Sequence, residues 1–156
     1  MKLGFKKNEE EVKAVNKSLL KSGKDDWETP QNLFSALHRE FGFTLDPCAT
    51  AENAKCARYF TLSEDGLSRD WTGEVVFCNP PYNRKQDAWV RKCYEHGTNG
   101  GVAVMLLPAR TDTARFHDVI LGNAEIRFIR GRLTFTGACN PAPFPSMIVI
   151  FRGNEQ

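Results

Sequence analysis

Two short, unbroken apolar runs dominate the pattern of the chain: Val75-Val76-Phe77-Cys78 and Val102 to Leu107, each stopped by proline. Continuous hydrophobicity of this length predicts strands buried on both faces of a parallel sheet, and Pro80 and Pro108 cannot continue a central strand. Between them, residues 84–96 predict a helix with Ala88, Trp89 and Cys93 toward the core, followed by a turn from Gly97 to Gly101. Upstream, Leu33, Phe34, Leu37 and Phe41 give a helical period behind Thr29-Pro30. That arrangement predicts Thr29 as N-cap, Pro30 at the first helical position and Gly42 as the stop. Phe43-Thr44-Leu45 reads as a short strand ending at Asp46-Pro47, and Arg58-Tyr59-Phe60 as a second, with a turn or two of helix over 51–57.

Downstream, Thr111-Asp112-Thr113 is expected to cap a helix running to about Leu121. Ile126 to Ile129 predicts a strand that Arg132 to Phe135 extends past Gly131, and Ser146 to Phe151 predicts the closing one. Strands alternating with helices argue for an open α/β sheet with parallel central strands. The last two strands, joined without a helix, are expected to form an antiparallel pair. This layout resembles that of a Rossmann-like class I methyltransferase fold.

Residues 1–25 differ from the rest: they are polar, rich in Lys and Glu, and only Val12, Val15 and Leu19-Leu20 give a weak helical period. They read as a leader, and residues 26–156 as a single domain. The 156 residues are 41% hydrophobic, so one buried core is within reach and a large multidomain enzyme is not. No apolar run approaches the roughly 20 residues that cross a bilayer, and no apolar signal core follows the N-terminal lysines. No membrane association is expected.

The net charge of +2 is too mild to identify a nucleic-acid partner. Its local distribution is more suggestive, because Arg84, Lys85, Arg91 and Lys92 crowd one segment while Arg110, Arg115, Arg127, Arg130 and Arg132 follow without a lysine. Arginine suits phosphate and base-edge contacts. Five cysteines without a Cys-x-x-Cys pair, and three scattered histidines, show no metal-ligand spacing; reduced thiols and no metal site are expected.

In open α/β sheets, ligands collect outside the carboxyl ends of the strands. Three such ends carry Asp46-Pro47-Cys48-Ala49, Asn79-Pro80-Pro81-Tyr82 and Pro108-Ala109-Arg110. The second is the most specific. The lone pair of a nucleobase amine is delocalised into its ring and is a poor nucleophile. Two acceptors holding its two hydrogens pull the nitrogen toward tetrahedral geometry. The Asn79 side-chain oxygen and the Pro80 carbonyl can be those acceptors, in a loop that two prolines hold rigid. Tyr82 adds a flat face for stacking the base, which must leave the duplex first.

Trp27-Glu-Thr-Pro, Leu45-Asp-Pro-Cys-Ala, Asn79-Pro-Pro-Tyr, Leu106-Leu-Pro-Ala-Arg and Phe144-Pro-Ser together resemble the phage-type DNA N6-adenine methyltransferases, over residues 26–152. The resemblance implies S-adenosylmethionine as cofactor and DNA as partner. It places Asp46 against the methionine portion of the cofactor, with Pro47, Cys48 and Ala49 shaping that pocket and Thr29 and Pro30 closing over it. Asp65 matches an acid near the cofactor adenine. Asn79, Pro80, Pro81 and Tyr82 become the catalytic loop, and Arg84, Lys85, Arg110, Arg130 and Arg132 the candidate DNA contacts. The setting implied is the cytoplasm of a bacterial host, for a phage or prophage protein acting as monomer or homodimer.

The sequence also departs from the wider pattern. No glycine follows Asp46 in Asp-Pro-Cys-Ala-Thr-Ala-Glu-Asn, and no acid directly follows Tyr59-Phe60. The span from Asp46 to Asn79 is too short for two full strand–helix units, so the sheet is expected to be abbreviated there or to lack a strand. DNA or a partner subunit would then complete the cofactor site. Other acceptors for the same loop are cytosine N4, RNA adenine or a protein amide. A non-catalytic DNA-binding module of the same fold is the alternative of a different class.

Overall fold

The computed structural model describes residues 27–153, and the leader assigned to 1–25 lies outside them. Helix α1 spans Gln31–Phe41. Strands follow at Leu45–Asp46 (β1), Arg58–Tyr59 (β2) and Val75–Cys78 (β3), with two 3-10 turns between β2 and β3. Helix α2, Gln86–Thr98, leads to β4, Val102–Pro108; a π-helical segment, Phe116–Ile120, leads to β5, Glu125–Phe128, and β6, Ser146–Arg152, closes the sheet.

The six strands lie in the order β2-β1-β3-β4-β6-β5. The first four pair in parallel, and β6 enters antiparallel between β4 and β5. The abbreviated stretch is resolved in physical terms: one strand of only two residues stands outside β1, and turns replace any further strand–helix unit. Phe60 prolongs the pairing by donating its N–H to Asp46 O at 3.0 Å, and Ala49 N–H returns to Phe60 O at 3.0 Å.

The apolar runs are central for the reason their composition implies. Along β4, Ala103, Met105 and Leu107 join a core with Trp89, Val90, Cys93, Phe116 and Ile120, on the face that α2 covers. Val104 and Leu106 point the other way, into a second core with Phe34, Leu37, Phe43, Phe77, Phe135 and Phe144. Alternate side chains reach opposite faces, so a strand covered on both sides must be apolar throughout.

Several local expectations change. Helix α1 starts at Gln31 with Pro30 as the capping residue and no side-chain cap, so Thr29 is not an N-cap. Gly42 does end the helix, at φ +67°, with its N–H on His38 O at 2.8 Å. Ala88 is exposed; Trp89, Val90 and Cys93 face the core. Residues 51–57 form turns and bends rather than helix, and 132–135 is not a strand. Instead Phe135 drops into the second core, and Thr136 donates its N–H to Glu28 O at 3.0 Å, tying this loop to the segment before α1. The helix expected from 111 is confined largely to the π-helical segment.

Candidate active site

β1 and β3 are adjacent and parallel, so Asp46 at the end of one and Asn79 just past the other meet at the carboxyl edge of the sheet. They line one cavity of about 50 Å³, together with Thr29, Cys48, Pro80 and Pro81. Trp27, Glu28, Asn53, Lys55 and Phe77 complete its wall. Of the positions expected around it, Pro30, Pro47, Ala49, Asp65 and Tyr82 do not line this cavity.

The Asn79 amide is held in one orientation. Its Nδ2 donates to Trp27 O and, at 3.0 Å, to Thr29 Oγ1. A carbonyl oxygen can only accept, so the NH2 group must face Trp27 and Oδ1 must point away. Oδ1 is buried and has no hydrogen-bond partner among the described residues. A side chain fixed by its donor end, with an unsatisfied acceptor at the other, is set to receive an N–H from outside. Thr29, only 3% exposed, thereby serves Asn79 rather than α1, while its own carbonyl accepts from Thr136 Oγ1 at 3.3 Å.

Asp46 is buried, with Oδ2 accepting from Lys55 N–H at 3.0 Å. Burial pushes its carboxyl up to about 6, against the lowering effects of the Lys55 and Cys48 backbone N–H groups and the Lys55 charge. The Lys55 ammonium is instead bound to Glu28 Oε1 at 3.5 Å and Gln31 Oε1 at 3.2 Å, so it braces the chain before α1. Cys48 Sγ lies 3.6 Å from Cys78 Sγ and 3.3 Å from Asn79 O; all five cysteines are free thiols. No cluster of three metal-ligating side chains occurs among the described residues.

The loop that follows β1 is approached closely by Gly66. A Cβ there would lie 2.0 Å from Pro47 O, so only glycine lets the 3-10 turn approach. Asp65, just before it, is exposed at φ +50° and its carbonyl accepts from Ser68 N–H at 2.9 Å.

Tyr82 donates its hydroxyl to Leu106 O at 3.3 Å, and burial raises its phenol far beyond any titration near neutrality. Trp27 stacks on its ring at a centroid distance of 6.4 Å, with Phe144 and Phe135 edge-on at 5.5 and 6.3 Å. A base reaching Tyr82 therefore meets a ring already paired with Trp27. Both rings open onto a groove of about 670 Å³ that Arg84, Gln86, Pro108, Arg110 and Arg115 also line.

The basic residues separate into two groups. Arg84 and Arg110 reach the groove, Lys85 is exposed at the start of α2, and Arg130 is exposed just beyond β5. Arg132 is exposed as well, with Nη1 3.5 Å from Ala142 O. By contrast Lys92 donates to Arg69 O at 2.7 Å and covers Trp71, and Arg127 grips Glu40 through two 2.7 Å bonds and Glu125 through one at 2.6 Å. Those two charges serve the fold. Lys55, Asn53 and Gln86 carry no functional signal in the sequence, and Trp27 stands there only as part of a motif. Its one local clue is a tryptophan placed just before Thr-Pro, where a helix cap alone needs none.

Such a strand order, with its asparagine turn at the carboxyl edge, is the plan of the Rossmann-like methyltransferases. The family model for "DNA N-6-adenine-methyltransferase (Dam)" matches residues 16–156, and the chain belongs to that family. It is 34% identical over 113 residues to a DNA N-6-adenine-methyltransferase of Escherichia phage T1, covering 71% of this chain and 47% of that protein. Against the protein of the same name from Haemophilus phage HP1 it is 31% identical over 139 residues, 84% of this chain and 80% of the relative. The chain thus spans about half the length of the T1 protein and four-fifths of the HP1 protein. Among the described residues, no helix is long and apolar enough to cross a membrane.

Proposed function

We propose that this chain transfers a methyl group from S-adenosylmethionine to the N6 of adenine in DNA, with the base turned out of the duplex. The observation that carries this reading is the buried Asn79 Oδ1, without a partner among the described residues and locked in place through its own NH2 group. The relatives' names and the family point to the same chemistry.

The residues present fit the methionine end of the cofactor. Asp46 is a buried carboxylate with no cation bonded to it among the described residues, and an ammonium placed there would restore its ionised form. Thr29 and Cys48 border the same cavity. At about 50 Å³ that cavity holds far less than a ligand of cofactor size, whose pockets run to roughly 300 Å³ and more. This supports a site that DNA or a partner surface completes. When bound, the cofactor supplies an electrophilic methyl sulfonium.

The chain's own work is positional. Asn79 Oδ1 accepts one N6–H and the Pro80 carbonyl the other, which localises the nitrogen lone pair and aims it. Pro80 and Pro81 fix the loop beforehand, so little reorganisation is left for the reaction. No general base is needed at the displacement, because the proton can leave the alkylated nitrogen afterwards. Arg84, Lys85, Arg110, Arg130 and Arg132 all follow carboxyl ends of strands or flank them, and serve the DNA backbone.

The deciding experiment incubates the protein with radiolabelled cofactor, mixed duplex DNA and RNA, and identifies the labelled nucleoside. Label in N6-methyladenine from DNA is the expected result; label in N4-methylcytosine or in RNA, or none, overturns the reading. For the DNA backbone, an Arg84→Ala/Lys85→Ala double variant should bind with a shallower slope of log K against log salt. Each phosphate that the variant no longer neutralises should reduce that slope by about one unit. An unchanged slope removes both residues from the interface.

A further inference from the structure

Asn79 Oδ1 is one of three buried side-chain atoms that lack a hydrogen-bond partner among the described residues; the others are Gln86 Nε2 and Ser146 Oγ. Ser146 lies opposite Pro108 in the β4–β6 ladder, and its hydroxyl can rotate. Gln86 is the more demanding case. It opens α2 and is only 3% exposed, uncommon for a glutamine. The helix has no use for the amide: the Gln86 backbone N–H already bonds Asn83 O at 3.1 Å, and an apolar side chain would fill the space without stranding a donor.

Gln86 lines the groove, alongside Trp27, Tyr82, Pro108, Arg110 and Phe144, with its Nε2 buried behind that wall. Aromatic walls with a guanidinium beside them suit a flat heteroaromatic ring on a phosphodiester chain. A buried N–H without a partner selects an acceptor on that ring. In adenine the exocyclic amine is the donor, already assigned to Asn79, and N1, N3 and N7 are all acceptors.

We propose that Gln86 Nε2 donates a hydrogen bond to a ring nitrogen of the extruded adenine, making Gln86 a specificity-determining residue of the base pocket. The inference rests on the adenine reading of the site. Asn79 would accept from the base and Gln86 would donate to it, two opposed requirements that a base presenting an N–H in place of the ring nitrogen fails to meet.

The test measures kcat/KM of the full chain on duplexes in which every adenine of one strand is adenine, 1-deaza-, 3-deaza- or 7-deazaadenine. Wild type should lose about 10- to 100-fold on one of the three analogues, the range set by hydrogen bonding to one base edge. Gln86→Met should lose a similar factor on adenine itself, yet barely distinguish adenine from that same analogue. Gln86→Glu, which keeps the shape but not the donor, should behave like Gln86→Met. The melting temperature of Gln86→Met should not fall, because the stranded donor is gone. Equal discrimination of all three analogues by wild type and Gln86→Met overturns the assignment, and so does a Gln86→Met variant that melts several degrees lower. Label on cytosine or RNA instead overturns the adenine reading and this assignment together, whereas adenine labelling without the coupling overturns this assignment alone.

Discussion

Asn79→Ala should lower methyl transfer by about 100- to 1000-fold, the scale seen when one preorganised polar group is removed from a transition state, while leaving a folded protein. The fold survives because the substitution has opposing effects on stability. It removes the bonds from Nδ2 to Trp27 O and Thr29 Oγ1, each worth about 1 kcal/mol, but it also removes the stranded Oδ1, whose burial is unfavourable by about 1–3 kcal/mol. Circular dichroism and thermal melting should therefore stay near wild type while the labelled product disappears. Persistent labelling of DNA adenine by the variant would falsify the role given to Asn79.

Asp46→Asn should separate stability from binding. The folded carboxyl stands at about 6 against 3.8 when unfolded, so burying it ionised costs about 3 kcal/mol. The direction follows from proton counts. Below the unfolded value both states hold the proton and there is no penalty. Between about pH 4 and 6 the folded state keeps a proton that the unfolded chain has released, so stability falls as pH rises. Above about 6 the buried carboxylate is ionised and the full penalty applies.

Asparagine can still accept the Lys55 N–H but carries no charge to bury. The variant should thus melt higher than wild type at pH 7.5, with the advantage vanishing near pH 4. Its calorimetric heat of cofactor binding in the presence of duplex DNA should be lost. For wild type, cofactor affinity should rise with pH and level off above about 6, since an ammonium prefers the ionised partner. A variant that melts at or below wild type at pH 7.5, or that keeps wild-type affinity, contradicts the account of Asp46.

The parts of the molecule legible in the sequence are those that depend on a residue's own backbone and its near neighbours. Val75 to Cys78 and Val102 to Leu107 announce central strands because both of their faces are buried, and Gly42 announces a helix end because it alone takes φ +67° without strain. Asp46 and Asn79 are legible for the same reason, as polar residues at the ends of such strands. What is not legible depends on partners distant in the chain. Thr29 has the local signature of a cap, but its hydroxyl is taken by Asn79, fifty residues away. Arg127 and Lys92 read as available charge until Glu40, Glu125 and the Arg69 carbonyl are placed beside them. Residues 132–135 have strand composition, yet Phe135 contributes more by filling the aromatic cluster over Trp27 than by extending β5. Gln86 gives no signal at all, since a glutamine in the first turn of a helix is ordinarily solvated.

The cage around Trp27 bears on how the protein is made. Phe135 and Phe144 hold its ring at 5.2 Å each, and Thr136 bonds the adjoining Glu28. These residues leave the ribosome long after β1, β3 and β4. A nascent chain can begin to form its parallel strands early, but it cannot orient Asn79 until the loop after β5 arrives to hold Trp27 in place. Asn79 is therefore aimed only once residues 135–144 have been made, and a chain interrupted before them would carry the Asn-Pro-Pro-Tyr turn without the means to orient it.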